Sequence, residues 1–125
     1  MNENAVATQI IGGAIDVHRA LGPGLIESAY QECLKHELGL RNLHYESEVY
    51  VPIRYKGLLV GNAYRLDLLI ENEIIVELKS IDKITDVHKA QLLTYLRLTG
   101  CKLGLLMNFN VILLKNGVTR IVNNL

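Results

Sequence analysis

The stretch of residues 64–80, YRLDLLIENEIIVELKS, constrains the fold more than any other part of this chain. It contains two strongly apolar runs, and these carry Asp67, Glu77 and Lys79 where a strand-rich core would hold aliphatic side chains. Burying a charge without a partner is costly, so ionisable residues in such places bind a metal, pair with one another or take part in chemistry. We therefore expect the functional residues of the chain here.

The local pattern predicts a hairpin that brings the two carboxylates together. A polar connection of residues 71–73 joins the two β-prone runs. With a loop of three residues, Asp67 falls opposite Glu77, and opposed residues of an antiparallel pair share a face with Cβ atoms about 5 Å apart. A two-residue loop would put Asp67 on the other face. Lys79 shares the face of Glu77 because strand side chains alternate.

Two carboxylates at this distance repel each other, which raises the pKa of one of them unless a cation lies between them. A hard divalent cation fits best, since Mg²⁺ favours carboxylates, carbonyls and water as ligands. Asp67 and Glu77 are therefore predicted to bind Mg²⁺ or Mn²⁺. The alternative for the pattern alone is a cross-strand ion pair between Lys79 and a neighbour.

Composition indicates one domain that spans residues 1–125. Half of the 125 residues are hydrophobic, which is enough for a single core. The 13 basic and 13 acidic residues give a formal net charge of zero, so any attraction of nucleic acid must come from a local patch. Cys33 and Cys101 are predicted to be reduced core thiols.

The sequence lacks the features of a membrane or secreted protein. No apolar run approaches the ~18 residues of a membrane span. The polar start MNENAVATQ has no secretory or lipidation pattern. We therefore expect a cytoplasmic protein with no membrane partner.

Hydrophobic periodicity predicts the element order ααβββαβββ, which is typical of an α/β protein with a mixed, α+β type of sheet. The predicted helices are residues 4–21, 26–38 and 86–99, and the predicted strands are residues 49–55, 58–70, 74–80, 103–108, 111–114 and 118–122. Asn116-Gly117 lies between the last two strands and is a strong hairpin signal.

Two further motifs accompany the carboxylate and the Glu-x-Lys sequence. Residues 24–30, GLIESAY, fit the pattern GxxExxY, and residues 91–95, QLLTY, fit the pattern QxxxY. With these motifs in this order, nearly the whole chain resembles the PD-(D/E)XK nuclease superfamily, which has the restriction-endonuclease-like fold. Within it, the chain resembles the GxxExxY protein family and the RecB-like branch. Leu66 stands where the superfamily usually has Pro.

The resemblance implies roles for five residues around the hairpin. Asp67 and Glu77 would be metal ligands, together with the backbone carbonyl of Leu78. Glu27 would be an additional acidic ligand from the second helix, where the alternative is a solvated surface glutamate. Lys79 would orient or activate the attacking water and offset charge in the transition state.

The resemblance also implies roles for residues on the helices. Gln91 and Tyr95, one helical turn apart, would hold a phosphate, the lysine or the water, where the alternative is a half-buried Tyr95 and a solvated Gln91. His88 precedes Gln91 by three residues and is expected to border the site. Tyr30 has two alternatives, substrate contact or core packing.

The function implied is a Mg²⁺- or Mn²⁺-dependent nuclease that hydrolyses phosphodiester bonds, with DNA as the favoured substrate. A chain of 125 residues is too small to surround a duplex alone, so a homodimer or a larger helicase or repair partner is expected. The first alternative is an inactive module of the same fold that binds nucleic acid or protein. The second is an enzyme that acts on something other than a polynucleotide.

Overall fold

The computed structural model describes residues 2–125, which form three α-helices, five strands and one 3₁₀ turn. The helices are α1 (Glu3–Leu21), α2 (Glu27–Leu40) and α3 (Asp86–Thr99). The strands are β1 (Tyr45–Tyr55), β2 (Leu58–Ile70), β3 (Ile74–Lys79), β4 (Leu103–Asn108) and β5 (Val118–Val122), with the 3₁₀ turn at Leu114–Asn116. Among the described residues, no helix is long and apolar enough to cross a membrane.

The strands form one mixed sheet in the order β1-β2-β3-β4-β5. Only β3 and β4 run parallel, and α3 is the crossover between them. Ile70 pairs with Ile74 across a three-residue loop, which is the register that the loop length predicts. The predicted class, a mixed α and β fold with a mixed sheet, is confirmed.

Helices cover both faces of the sheet. The larger core lies under α1 and α2, and the smaller core lies under α3. Successive residues of β3 alternate between them, with Val76 and Leu78 in the larger core and Ile75 in the smaller one. By the same alternation, Glu77 and Lys79 lie on the α3 face.

Local sequence signals set the ends of α3. The helix begins with a capping box, in which the Thr85 side chain accepts from the His88 amide and the Thr85 amide donates to His88 Nδ1 at 2.9 Å. It ends at Gly100, whose φ of 79° is a left-handed conformation that glycine adopts without a Cβ clash. The predicted bounds of this helix, residues 86–99, are those of the structure.

The predicted strand at residues 111–114 is wrong. A type I′ hairpin at Asn116-Gly117 would need positive φ at both residues, but Gly117 has a φ of −100°. The chain instead makes a 3₁₀ turn that brings Gly117 against the backbone of Asn108, where a Cβ would lie 2.2 Å from the carbonyl oxygen. Val118–Val122 consequently pairs with β4, and the sheet has five strands in place of six.

The two cysteines are free thiols and are half-buried. Cys33 packs against the margin of the larger core, and Cys101 packs against the margin of the smaller one. The predicted thiols are therefore free and contact the cores, but they lie at the margins of the two cores and are not fully buried.

Close contact between α3 and the sheet occurs at Gly104. A Cβ built there would lie 2.9 Å from Cγ and Cδ1 of Leu92, a fully buried side chain of the smaller core. Such a distance forces the helix or the side chain to move, because real Cβ atoms essentially never approach so closely. Gly104 therefore allows α3 to lie directly on β4.

We expect Gly104→Val to lower the free energy of unfolding by about 1–3 kcal/mol, since overpacking displaces Leu92. Urea denaturation monitored by circular dichroism measures this change. The control is Gly39→Ala, at an exposed position within α2 where nothing lies within 4 Å of the new Cβ. This change should raise the free energy of unfolding by up to about 1 kcal/mol. Equal effects of the two substitutions would contradict the packing argument.

Candidate active site

Glu77 is a charged residue in an otherwise apolar strand. It is 8% exposed, and its Oε1 atom has no hydrogen-bond partner among the described residues. Every other residue of β3 before Lys79 is a buried aliphatic one. A buried carboxyl group without a full set of partners is costly, so Glu77 needs a proton or a cation.

Asp67 is positioned beside Glu77 by a break in β2. Its Oδ2 atom accepts a hydrogen bond from the amide of Leu78 at 2.9 Å, the place that a strand carbonyl would otherwise take. Leu66 belongs to the smaller core and Leu68 to the larger one, so the strand changes face around Asp67. A short Asp side chain can replace ladder hydrogen bonds in this way.

The two carboxyl groups interact strongly. Burial, followed by the charge of Asp67 and a side-chain hydrogen bond with it, raises the pKa of Glu77 from its ordinary value of 4.5 to about 9. The positive charge of Lys79 acts in the opposite direction and has a smaller effect on the pKa of Glu77. Glu77 is therefore protonated at neutral pH unless a cation takes the place of the proton.

The pair fits a hard divalent cation. It offers two adjacent carboxyl groups and an oxygen that lacks a partner, Glu77 Oε1. Mg²⁺ in phosphate-processing sites commonly uses only one or two carboxylates, with substrate and water completing its shell. Leu78, between Glu77 and Lys79, is placed to add a backbone carbonyl. Among residues 2–125, however, no three His, Cys, Asp or Glu side chains group closely enough to hold an ion.

Glu27 therefore does not join the pair as the predicted third carboxylate. It is the first residue of α2, which packs on the sheet face opposite to Glu77. Its exposed side chain borders a cleft of about 420 Å³ shared with Ser80 and Asn110, beside the carboxyl end of β3. Within the described part of the chain, no hydrogen bond or ion pair engages the Glu27 carboxylate.

The other residues of the GxxExxY segment have structural roles. Gly24 has a φ of 96°, which glycine tolerates best. The Tyr30 hydroxyl donates to the Gly22 carbonyl at 2.6 Å and accepts from the Leu25 amide at 3.1 Å, closing the turn before α2. Ser80 Oγ donates to the Leu25 carbonyl at 2.5 Å and joins this turn to the end of β3.

Tyr30 packs in the core, which is one of its two predicted roles. Its side chain is wholly buried, and its ring stacks on Phe109 with a centroid distance of 4.5 Å. A residue in this position cannot contact a phosphate, so the substrate-contact alternative is corrected. Of the Gly, Glu and Tyr that define the motif, Glu27 is the one with an exposed ionisable side chain.

Tyr95 on α3 faces the carboxyl pair. Burial raises its pKa, and the charges of Glu77 and Asp67 raise it further, which indicates that the phenol lies within electrostatic reach of both. Its ring stacks on Tyr64 of β2, with centroids 4.4 Å apart and planes 6° apart. Gln91 is exposed one helical turn before Tyr95 and so shares this side of α3.

Tyr64 is a site neighbour that the sequence analysis missed. Its hydroxyl is buried without a partner in the described structure, and burial raises its pKa to about 12. A strict period of two puts Tyr64 and Asp67 on opposite faces of β2. The change of face near Asp67 overrides that rule, and no sequence signal marked it.

His88 has a capping role at the start of α3. Its Nδ1 atom accepts from the Thr85 amide, as described above, and this accounts for one of the two ring nitrogens. The predicted position at the border of the site remains a prediction. The capping contacts explain the histidine without a ligand.

Asn108 is a second residue that sequence reasoning missed. It ends β4 opposite Lys79, is 3% exposed, and binds the backbone of Ile81 through both side-chain atoms at 3.1 and 3.0 Å. The Lys79 carbonyl accepts from the Phe109 amide at 2.8 Å. These bonds hold the chain that follows Lys79. A polar residue at the end of an entirely apolar strand was the available signal.

We expect the free energy of unfolding in the presence of chelator to fall as pH rises between about 4.5 and 9. The folded state keeps a proton on Glu77 that the unfolded chain releases, so raising the pH favours unfolding. Glu77→Gln should remove this dependence, while Glu46→Gln, at an exposed position of β1, should preserve it. Urea denaturation at about pH 6 and about pH 8.5 measures the difference. A parallel pH profile for Glu77→Gln and the unaltered protein would contradict the assignment.

Comparison with known proteins gives a family. No curated protein matches the sequence. Among solved structures, the crystal structure of SSO0001 aligns over 96% of this chain and 79% of its own, with 20% identity and a TM-score of 0.46, a likeness too weak to add to an assignment. Residues 4–121 match the family model of the PD-(D/E)XK nuclease superfamily, a span that contains every residue of the candidate site. This chain therefore belongs to the PD-(D/E)XK nuclease superfamily.

Proposed function

We propose that this protein is a Mg²⁺- or Mn²⁺-dependent nuclease of the GxxExxY family and the RecB-like branch, which hydrolyses phosphodiester bonds with DNA as the favoured substrate. The observation that carries the proposal is the buried Glu77 beside Asp67, with Lys79 on the same face. A purely structural strand would gain nothing from holding two repelling carboxyl groups together.

Asp67, Glu77 and the Leu78 carbonyl would hold the cation. When bound, a divalent cation polarises a phosphate and lowers the pKa of a water molecule. Glu77 must lose its proton to become a ligand, because its raised pKa keeps it neutral at ordinary pH. Asp67 already has one oxygen fixed by the Leu78 amide, so its orientation is set before any ligand arrives.

Lys79 would act on the water and the phosphate. It lies two residues after Glu77 on the same face and is half-buried at the end of β3. Its ammonium group is a compact charge with three donors, suited to orienting a water and to offsetting negative charge as the phosphate is attacked. Asn108 and Phe109 hold the backbone on the far side of Lys79, which limits how far it can move.

The residues on the helices would complete the site from two sides. Glu27, at the cleft beside Ser80, would supply a carboxylate to the bound water. Gln91 and Tyr95 would bind a phosphate or the water from α3. The stacked ring of Tyr64 would keep Tyr95 over the carboxyl pair.

The alternative is a non-catalytic module of this fold that binds nucleic acid or protein. Two observations favour it. The chain has no net charge to attract nucleic acid, and its described residues contain no group of three metal-ligating side chains. A homodimer, or docking on a larger helicase or repair protein, remains a proposal in either case.

Metal binding separates the two functions. We expect the melting temperature to rise steadily as the Mn²⁺ concentration is increased, since the folded state binds a ligand that the unfolded chain does not. Asp67→Asn should abolish this rise while retaining an acceptor for the Leu78 amide. Asp67→Ala leaves that amide without a partner, at a cost of about 1–3 kcal/mol, so it is the poorer test. Calorimetric titration that detects no Mn²⁺ binding would favour the non-catalytic module.

Cleavage tests the nuclease directly. The protein should degrade labelled single-stranded, duplex or branched DNA in Mn²⁺ and not in chelator. Lys79→Ala should lower the rate about 100-fold or more while metal binding is retained, because the lysine acts on water and phosphate. Lys102→Ala, at the opposite end of the parallel pair β3 and β4, is the matched control and should cleave normally. Unchanged hydrolysis in Lys79→Ala would place the activity elsewhere or in a contaminant.

A further inference from the structure

The β1–β2 hairpin extends beyond the part of the sheet that the helices cover. Pairing between β2 and β3 involves only Leu68–Ile70, so the earlier part of β2 has β1 as its strand partner. Every residue from 54 to 63 is exposed. We call residues 52–63 the distal hairpin.

An irregularity separates the distal hairpin from its base. Val51 pairs with Tyr64 and Ile53 pairs with Val60, so one residue of β1 lies opposite three of β2. Asn62, within the longer side, has a φ of 52°. Bulges of this kind bend a hairpin and redirect its side chains.

The distal hairpin is strongly apolar for an exposed segment. Tyr55 is 61% exposed, Leu58 is 62% and Leu59 is 53%, and the first two are paired across the tip. Tyr55 and Leu58 share one face of the hairpin, and Leu59 lies on the other face beside Arg54, so both faces of the tip present exposed apolar side chains. Exposed apolar side chains grouped in this way are typical of a binding surface.

The same segment is basic. The distal hairpin, residues 52–63, contains two basic residues, Arg54 and Lys56, and no acidic one, within a chain whose net charge is zero. Among the ion pairs of the described residues, Arg65 binds Glu48 at 2.9 Å, whereas Arg54 and Lys56 at the tip take part in none. The Lys56 Nζ atom lies 5.3 Å from the centre of the Tyr55 ring.

This combination fits unpaired nucleotides. An exposed aromatic ring and apolar side chains can stack on base faces, which are accessible in a single strand and hidden in a duplex. Adjacent basic side chains bind the phosphates. A second copy of this chain docked tip to tip would instead bring the like charges of Arg54 and Lys56 together, because such a contact uses the same patch on both copies.

The distal hairpin is also connected to the candidate site. Leu59 and Asp67 are both in β2, eight residues apart, which corresponds to at most about 26 Å of extended strand. This is the length of roughly eight nucleotides at the B-form rise of about 3.4 Å each, and of fewer nucleotides where the single strand is extended. One strand of nucleic acid can therefore span both places.

We propose that the distal hairpin binds a single-stranded segment of nucleic acid, with Tyr55 and Leu58 against the bases and Arg54 and Lys56 on the phosphates. The binding surface stands on its own observations. The further statement, that this segment continues to Asp67 and Glu77 for hydrolysis, rests on the proposed function.

Fluorescence anisotropy with labelled oligonucleotides, in chelator to prevent metal-dependent cleavage, tests the binding. A plot of log affinity against log salt concentration has a negative slope. The double variant Arg54→Ala/Lys56→Ala should make this slope less steep by about 1.4, the value for two contacts to single-stranded phosphates. The control is Lys102→Ala/Lys115→Ala, which removes the same charge from exposed positions near β4 and should leave the slope unchanged.

Tyr55→Ala should weaken single-strand binding at least about fivefold and change duplex binding little, because the stacking contact needs an unpaired base. Its exposed position keeps the fold intact, which circular dichroism checks. Affinity for single strands equal to that of the unaltered protein in both hairpin variants would overturn the inference, as would tighter binding to duplex than to single strand.

Sedimentation velocity examines the rival occupant. If the protein dimerises and Leu58→Ser/Leu59→Ser makes it monomeric without altering oligonucleotide binding, the surface belongs to a second copy and the inference is overturned. Hairpin-dependent binding without cleavage in Mn²⁺ would uphold the distal hairpin and overturn the nuclease. Cleavage in Mn²⁺ together with binding that does not depend on the hairpin would uphold the nuclease and overturn the proposal for the distal hairpin.

Discussion

The hydrogen bond from the Leu78 amide to the Asp67 carboxylate sets the geometry on which the candidate site depends. It takes the place of a backbone hydrogen bond just beyond Leu68–Val76, where the pairing of β2 with β3 ends. It also holds the Asp67 carboxyl group on the face that carries Glu77. Burial and the neighbouring Asp67 carboxyl group together raise the pKa of Glu77. Glu77 therefore holds a proton at a place where a cation could bind. Burial raises the pKa of Tyr95 on α3, and the same two charges raise it further.

The GxxExxY segment shows how a short motif can combine structure with function. Gly24 supplies a backbone conformation, and Tyr30 supplies a buried hydroxyl that closes the turn. Tyr30 cannot contact a substrate from its buried place in the fold. Glu27 lies between them on the exposed side of the turn, held beside β3 by the Ser80 hydrogen bond, and has no structural task of its own. Gly24 and Tyr30 therefore stabilise the turn before α2, and Glu27 is exposed at the cleft.

The sequence was a good guide wherever periodicity and turn chemistry agreed. The hairpin register followed from a loop of three residues, and the predicted bounds of α3, residues 86–99, are those of the structure. The prediction was wrong at residues 111–114, because an Asn-Gly pair predicts a turn type only if the backbone adopts positive φ, and tertiary packing on Asn108 imposed another conformation. Tyr64 was missed for a related reason, since a strict alternation cannot reveal a strand that changes face.

The residues of the candidate site come from four elements, α2, β2, β3 and α3. Their contacts are distant in sequence; for example, the Ser80–Leu25 hydrogen bond joins positions 55 residues apart. Closing loops of this length costs conformational entropy before any contact repays it. No isolated hairpin or helix pair can assemble the arrangement, so the carboxyl pair acquires its unusual protonation only when both faces of the sheet are covered. Until then an emerging or partly folded chain carries ordinary glutamates, and the chemistry of the site is a property of the completed fold.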